Sequence, residues 1–144
     1  LLDRGPLLLV RQAVALMVRV RTLAELAALP AGVVPVPGGV DVIALEAECD
    51  SRGRPMVLLD TDEVASKDGF MDAVSAALAL PGWFGRNWDA LADCLSDVPV
   101  STVLVWDGWR DMALADPRDT EVAIEVFAES GLTVLMVNAP DDES

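Results

Sequence analysis

Three short apolar runs constrain this chain more than anything else in it: PMVLLD at residues 55–60, STVLVWD at 101–107 and LTVLMVN at 132–138. Each is continuous rather than alternating and is bounded by turn-forming residues, the pattern of a strand buried on both faces. Two helical segments lie between the first run and the second. SKDGFMDAVSAALALPGWFG sets Phe70, Val74, Ala77 and Leu78 on one face and stops at Pro81-Gly82; NWDALADCLSD follows, capped by Asn87. Between the second and third runs PRDTEVAIEVFAESG has Pro117 at its start and Gly131 just past its end. Strands joined by helices imply parallel pairing, so the expected fold is α/β: a small three-stranded parallel sheet packed with helices.

Upstream the pattern is weaker. Residues 1–54 read as an N-terminal extension, helical or an added strand-helix unit, to a domain over 55–140, with an acidic tail at 141–144. Thr22 caps a short helix at Leu23–Leu29 that ends at PAG, and VVPVP is too proline-rich to be more than an edge strand. In DVIALEAECDSRG the Ala and Glu content and Gly53 favour a helix, although Ile43, Leu45, Ala47 and Cys49 alternate. Residues 1–20 stand apart. Arg11, Arg19 and Arg21 interrupt their apolar segments below the ~18–20 residues of a membrane span, and no clean small-residue cleavage site marks a signal peptide.

The net charge of −14 is unevenly spread, for residues 41–144 hold 22 acidic and six basic side chains. That field repels a phosphate backbone, so no direct contact with nucleic acid is expected, and no membrane contact either; acidity alone otherwise serves solubility. There is no histidine, and Cys49 and Cys94 sit in unlike contexts, which argues against a zinc site and for two reduced, buried thiols in a cytoplasmic protein. With no tyrosine, a single lysine at Lys67 and serines in no nucleophile motif, neither enzyme activity nor a cofactor is expected.

The stretch LPGWFGRNWDALADCLSD, residues 80–97, is the exception to this plainness. On a wheel of about 100° per residue Trp88, Leu91, Ala92 and Leu95 form an arc for the core, with Trp88 at its centre and Cys94 packing beside it. Asp89, Asp93 and Asp97 line the next arc at spacing four. Like charges at that spacing weaken a helix by a few tenths of a kcal/mol, and Asp97 near the C-terminus opposes the helix dipole, so stability does not explain the stripe. Carboxylates spaced ~6 Å apart along one helix do not converge on a metal ion, and none is expected. Solvation and a cationic protein surface remain. Trp83 is either an interface residue or a lid over the core, Gly85 and Asn87 are most simply a turn and a cap, and Trp106 and Trp109 are packing residues.

The same stretch resembles the signature of the barstar family, intracellular inhibitors of the ribonuclease barnase: Leu-Pro, two aromatics, Gly, a variable residue, Asn, an apolar residue, then Asp-Ala-Leu-x-Asp-Cys-Leu. The likeness is dense and ungapped, and the order of elements extends it over about residues 55–138. It implies a barstar-like α/β fold with a three-stranded parallel sheet, in which one helix and its preceding loop plug the active site of the nuclease. On this resemblance Asp93 sits where an RNA phosphate would bind, Asp89 meets an arginine of the enzyme, Trp83 covers the catalytic histidine and Glu129, in VFAES, makes a further contact. Phe84, Gly85, Asn87 and Asp97 complete the implied partner-binding set. Ala92 and Val98 stand where the family has tryptophans, and Asp97 where it has glycine, which implies a different target ribonuclease. The expected function is inhibition of a small, basic, extracellular-type microbial ribonuclease by phosphate mimicry, as a cytoplasmic antitoxin or immunity protein that is monomeric when free. The alternative is a barstar-fold scaffold or regulatory protein that binds another basic protein and no nuclease.

Overall fold

A computed structural model describes residues 22–139. The expectations for residues 1–20 and for the tail at 141–144 lie outside the described residues.

The sheet forms where the sequence is most apolar. Strands β3 (Val103–Asp107) and β4 (Thr133–Ala139) are buried along almost their whole length and pair in parallel, Val103 opposite Thr133 and Trp106 opposite Met136. Strand β2 (Met56–Asp60) runs parallel to β3. A further strand, β1 (Gly32–Pro37), pairs with β4, so the order is β1-β4-β3-β2. The sheet therefore has four strands rather than the expected three, and the fourth is the proline-rich segment, placed at an edge. The amide of Gly32 donates to the carbonyl of Leu132 at 2.9 Å, which points the even-numbered amides of β1 toward β4. Pro35 and Pro37 consequently present their missing donors on the open side, where no ladder bond is lost. Strand β2 is the other edge and is not the buried strand expected: Leu59 is buried, whereas Leu58 is 44% exposed.

Six helices are present among the described residues: α1 (Leu23–Ala27), α2 (Val42–Ser51), α3 (Lys67–Leu78), α4 (Trp88–Leu95), α5 (Trp109–Ala115) and α6 (Pro117–Glu129). They cover both faces of the sheet, following the period of two along its strands. Leu59, Leu104, Trp106, Val134 and Met136 pack with Phe70 and Val74 of α3, Leu91 and Leu95 of α4, Met112 of α5 and Phe127 of α6. The alternate residues Val103, Val105, Leu135 and Val137, with Val36, pack with Leu26 of α1 and with Leu45 and Cys49 of α2. Residues 22–51 thus supply a strand and the cover of the second face.

Local signals explain most of these boundaries. Thr22 and Glu25 form a reciprocal capping box on α1. Arg54 fastens the end of that helix: its guanidinium donates to the carbonyls of Ala27 and Leu29 at 2.9 Å, to Thr133 Oγ1 at 2.9 Å and to the carbonyl of Ser101 at 2.8 Å. Helix α5 has no counterpart in the expected elements, because its cap, Gly108, offers no side chain. Gly108 sits at φ +75°, and a Cβ there would fall 2.3 Å from the backbone nitrogen of Asp62, so only glycine makes this turn. The first face is aromatic. Phe70 and Phe127 pack on Trp106 with ring centroids 5.6 and 5.4 Å away. The indoles of Trp106 and Trp109 donate to Thr61 Oγ1 and to the carbonyl of Val137, both at 2.9 Å, so each buried ring is satisfied.

Candidate protein interface

Helix α3 ends with Ala79 in the left-handed conformation and the amide of Leu80 donating to the carbonyl of Ser75 at 3.0 Å, and Pro81 bars continuation. The carbonyl of Pro81 accepts from the amide of Phe84 at 2.9 Å, closing a turn. Trp83 stands at its tip with 76% of its surface exposed, so it is no lid over the core. Phe84 points the other way and is buried at 8% exposure; its ring anchors the loop from within. Asn87 then caps α4, its side chain accepting from the amide of Ala90 at 2.8 Å. A Cβ on Gly85 would crowd Asn87 Nδ2 to 3.1 Å, so glycine there leaves the cap undisturbed.

Helix α4 buries Leu91, Cys94 and Leu95. Its inward arc is therefore centred nearer Leu91 and Cys94 than expected. Trp88 lies at the edge of that arc, half-buried, 5.6 Å from Phe70 between ring centroids and with the Lys67 ammonium 5.9 Å above its ring. Ala92, expected inside, is exposed. The outward face is made of Asp89, Ala92 and Asp93. Asp97 does not lie on the helix: α4 ends at Leu95, and the amide of Asp97 donates to the carbonyl of Cys94 at 3.1 Å in a tighter turn, which leaves the carboxylate exposed. Glu129 is exposed at the end of α6, which packs against α4.

Among the described residues the carboxylates of Asp89, Asp93 and Asp97 accept no hydrogen bond and form no ion pair; the Ser96 hydroxyl donates to the backbone carbonyl of Asp93 at 2.6 Å. Their field is felt beneath them: burial first, then the charges of Asp97 and Asp93, push the Cys94 thiol up from its ordinary value. Burial likewise raises Cys49 on the opposite face of the sheet.

A second acidic region lies at the carboxyl ends of β2 and β3, lining a cleft of ≈ 490 Å³ that includes Asp62, Asp107, Asp111, Arg110 and Asn138. Repulsion from Asp60, with smaller contributions from burial and from Asp107, Asp111 and Glu63, raises the pKa of Asp62. Among the described residues no three metal-ligating side chains converge in either region, and no helix is long and apolar enough to cross a membrane.

The barstar family model, described as barnase inhibitor, matches residues 54–134, more than half of the chain and the whole of the loop-helix unit. The chain belongs to the barstar family. No curated protein matches it. Within this family framework one residue of the unit was passed over in the sequence. Arg86 occupies the variable position of the signature, yet its backbone is left-handed at φ +57° and its guanidinium pairs with Asp68 and Asp72 of α3. Asp68 and Asp72, one turn apart on α3, were the trace it left.

Proposed function

We propose that the chain inhibits a small basic ribonuclease of the barnase type by seating residues 80–87 and helix α4 in the active site of the enzyme. The observation that carries this is the outward face of α4, where the uncommitted carboxylates of Asp89 and Asp93 stand beside an exposed Trp83 inside the segment matched to the family. A ribonuclease binds phosphate through cationic side chains. Carboxylates at fixed spacing on a packed helix present the same charge pattern, speed encounter and need little ordering on contact. In this reading Asp93 occupies the phosphate position, Asp89 meets an arginine, Trp83 covers the catalytic histidine, and Glu129 adds a contact from α6. Asp97 adds charge from the turn after the helix, Gly85 and Asn87 shape and cap the loop, and Phe84 holds it from inside. Family members are inhibitors and not enzymes, and this chain performs no chemistry. It acts as a cytoplasmic antitoxin or immunity protein, monomeric when free, with residues 55–140 as the recognition unit.

Ala92, exposed between the two aspartates, provides no aromatic anchor. This supports a target that differs from barnase, and it favours, as a second reading, a scaffold that binds another basic protein without inhibiting a nuclease. RNA cleavage by a panel of barnase-like ribonucleases, at two salt concentrations and alongside Asp93→Ala, separates the two. Stoichiometric inhibition that weakens with salt and is lost in the variant supports the plug; no inhibition across the panel favours the scaffold.

A further inference from the structure

Arg86 is the cation of an otherwise acidic loop-helix unit, and its geometry is unusual twice over. An L-residue other than glycine at φ +57° persists only where its surroundings hold it there. The guanidinium reaches back to α3: Nη2 donates to Asp68 Oδ1 at 2.6 Å and to the carbonyl of Asp68 at 3.3 Å, while Nη1 donates to Asp72 Oδ1. Both acids belong to α3, whose start is itself fixed by Ser66, the side chain of which accepts from the amide of Gly69 at 3.3 Å. The fork therefore ties the first half of α3 to the residue immediately before Asn87, the cap of α4. Trp83 lies three residues upstream of that tie and Asp89 three residues downstream.

We propose that Arg86 is a positioning residue: by bridging Asp68 and Asp72 it presets the loop carrying Trp83 and the entry into α4 in the conformation that the partner meets. The inference rests on the inhibitor reading above. The three side chains are 41%, 85% and 67% exposed, so pairs this wet contribute little to global stability, and their effect is local ordering. The two pairs also screen the one positive charge of the unit from a cationic partner. Simple electrostatics and positioning then make opposite predictions. Removing a cation from a face that meets a basic protein tightens binding; loosening the loop weakens it, because the affinity falls with the fraction of molecules in the competent conformation.

The test uses the full chain with Arg86→Ala, Arg86→Gly and Arg86→Lys, and two readouts. The first is amide hydrogen exchange at Phe84 and Ala90; the second is Kd for a barnase-type ribonuclease at high ionic strength, where steering is screened. Arg86→Ala speeds loop exchange about tenfold, with the amides of α6 unchanged, and weakens binding by a similar factor. Arg86→Gly, which fits the backbone but lacks the fork, behaves like Arg86→Ala. Arg86→Lys recovers part of both, since one ammonium reaches one carboxylate at a time. Unchanged loop exchange in Arg86→Ala overturns the proposal whatever the ribonuclease does, as does tighter binding or a wild-type Arg86→Gly. Failure of the unaltered chain to bind any ribonuclease in the panel would instead sink the inhibitor reading, with loop exchange still deciding whether Arg86 orders the loop.

Discussion

The two acidic regions of this molecule carry similar charge and use it differently. At the carboxyl ends of β2 and β3 the carboxylates of Asp60, Asp107 and Asp111 are engaged by the chain itself, and among the described residues of that cleft Asp62 alone is repelled rather than bonded. Asp107 Oδ1 accepts from the amide of Gly108 at 2.8 Å and from Asn138 Nδ2 at 3.0 Å, Asp111 Oδ2 from the amide of Glu63 at 2.7 Å, and Asp60 Oδ1 from the amide of Asp62 at 3.0 Å. On α4 and the turn after it, Asp89, Asp93 and Asp97 are exposed and, among the described residues, their carboxylates accept nothing; the Ser96 hydroxyl donates at 2.6 Å to the backbone carbonyl of Asp93 instead. Charge density alone therefore does not mark a binding surface. A carboxylate already satisfied inside the fold must lose those bonds to serve a partner, whereas one held out on a rigid helix only exchanges water for the partner's cations.

That contrast breaks in definite ways if it is wrong. The largest effect is expected from Asp93→Ala: a loss of about 2 kcal/mol or more in ribonuclease binding, roughly 30-fold in Kd by calorimetry, with the urea midpoint unchanged or slightly raised because a like-charge neighbour of Asp89 and Asp97 is gone. Asp107→Ala should do the reverse. It strands the part-buried amide of Gly108 and leaves the exposed Asn138 to water, which costs about 1 kcal/mol in urea unfolding, and it leaves the affinity of the folded protein for the ribonuclease intact.

The smallest effect is in pH dependence. The pKa of Asp62 is raised in the folded state, so the native protein holds that proton more firmly than the unfolded chain; stability from this site is complete below the ordinary carboxylate range and is lost as pH rises through the raised value. Asp62→Asn should accordingly raise Tm slightly at pH 7, and the advantage should vanish on acidification toward pH ~3.5. Scanning calorimetry at both pH values checks it; an equal Tm difference at the two would show that Asp60 does not repel Asp62 as described.

Most of the frame was legible because its signals are local. Asn87 as a cap, the buried Leu91 and Leu95 and the continuous apolar runs of β3 and β4 each act within a few residues. What was missed depends on partners far away in sequence. Strand β1 joins the sheet only because β4 offers an edge about a hundred residues later, and the parity of Pro35 and Pro37 becomes meaningful only against that edge. Leu58 and Leu59 look alike in the sequence and differ in the fold because β2 is a border strand. In the site, the outward pair Asp89 and Asp93 was readable from its spacing, whereas Trp83 stood open between an interface residue and a lid until its exposure decided it. The inward turn of Phe84, the outward turn of Ala92 and the end of α4 before Asp97 depend on how the helix is rotated and capped, which a wheel centred on Trp88 does not fix. Arg86 was least legible of all, since its conformation is set by two acids 14 and 18 residues away.

The central claim is that the α4 face fills a phosphate-binding active site, and competition tests it most directly. The protein is titrated calorimetrically into a barnase-type ribonuclease with and without a saturating mononucleotide in the active site. The account predicts one-to-one binding whose apparent Kd rises linearly with nucleotide concentration once that exceeds the nucleotide's own Kd, as for two ligands of one site. Binding of equal strength to the nucleotide-filled enzyme would contradict it.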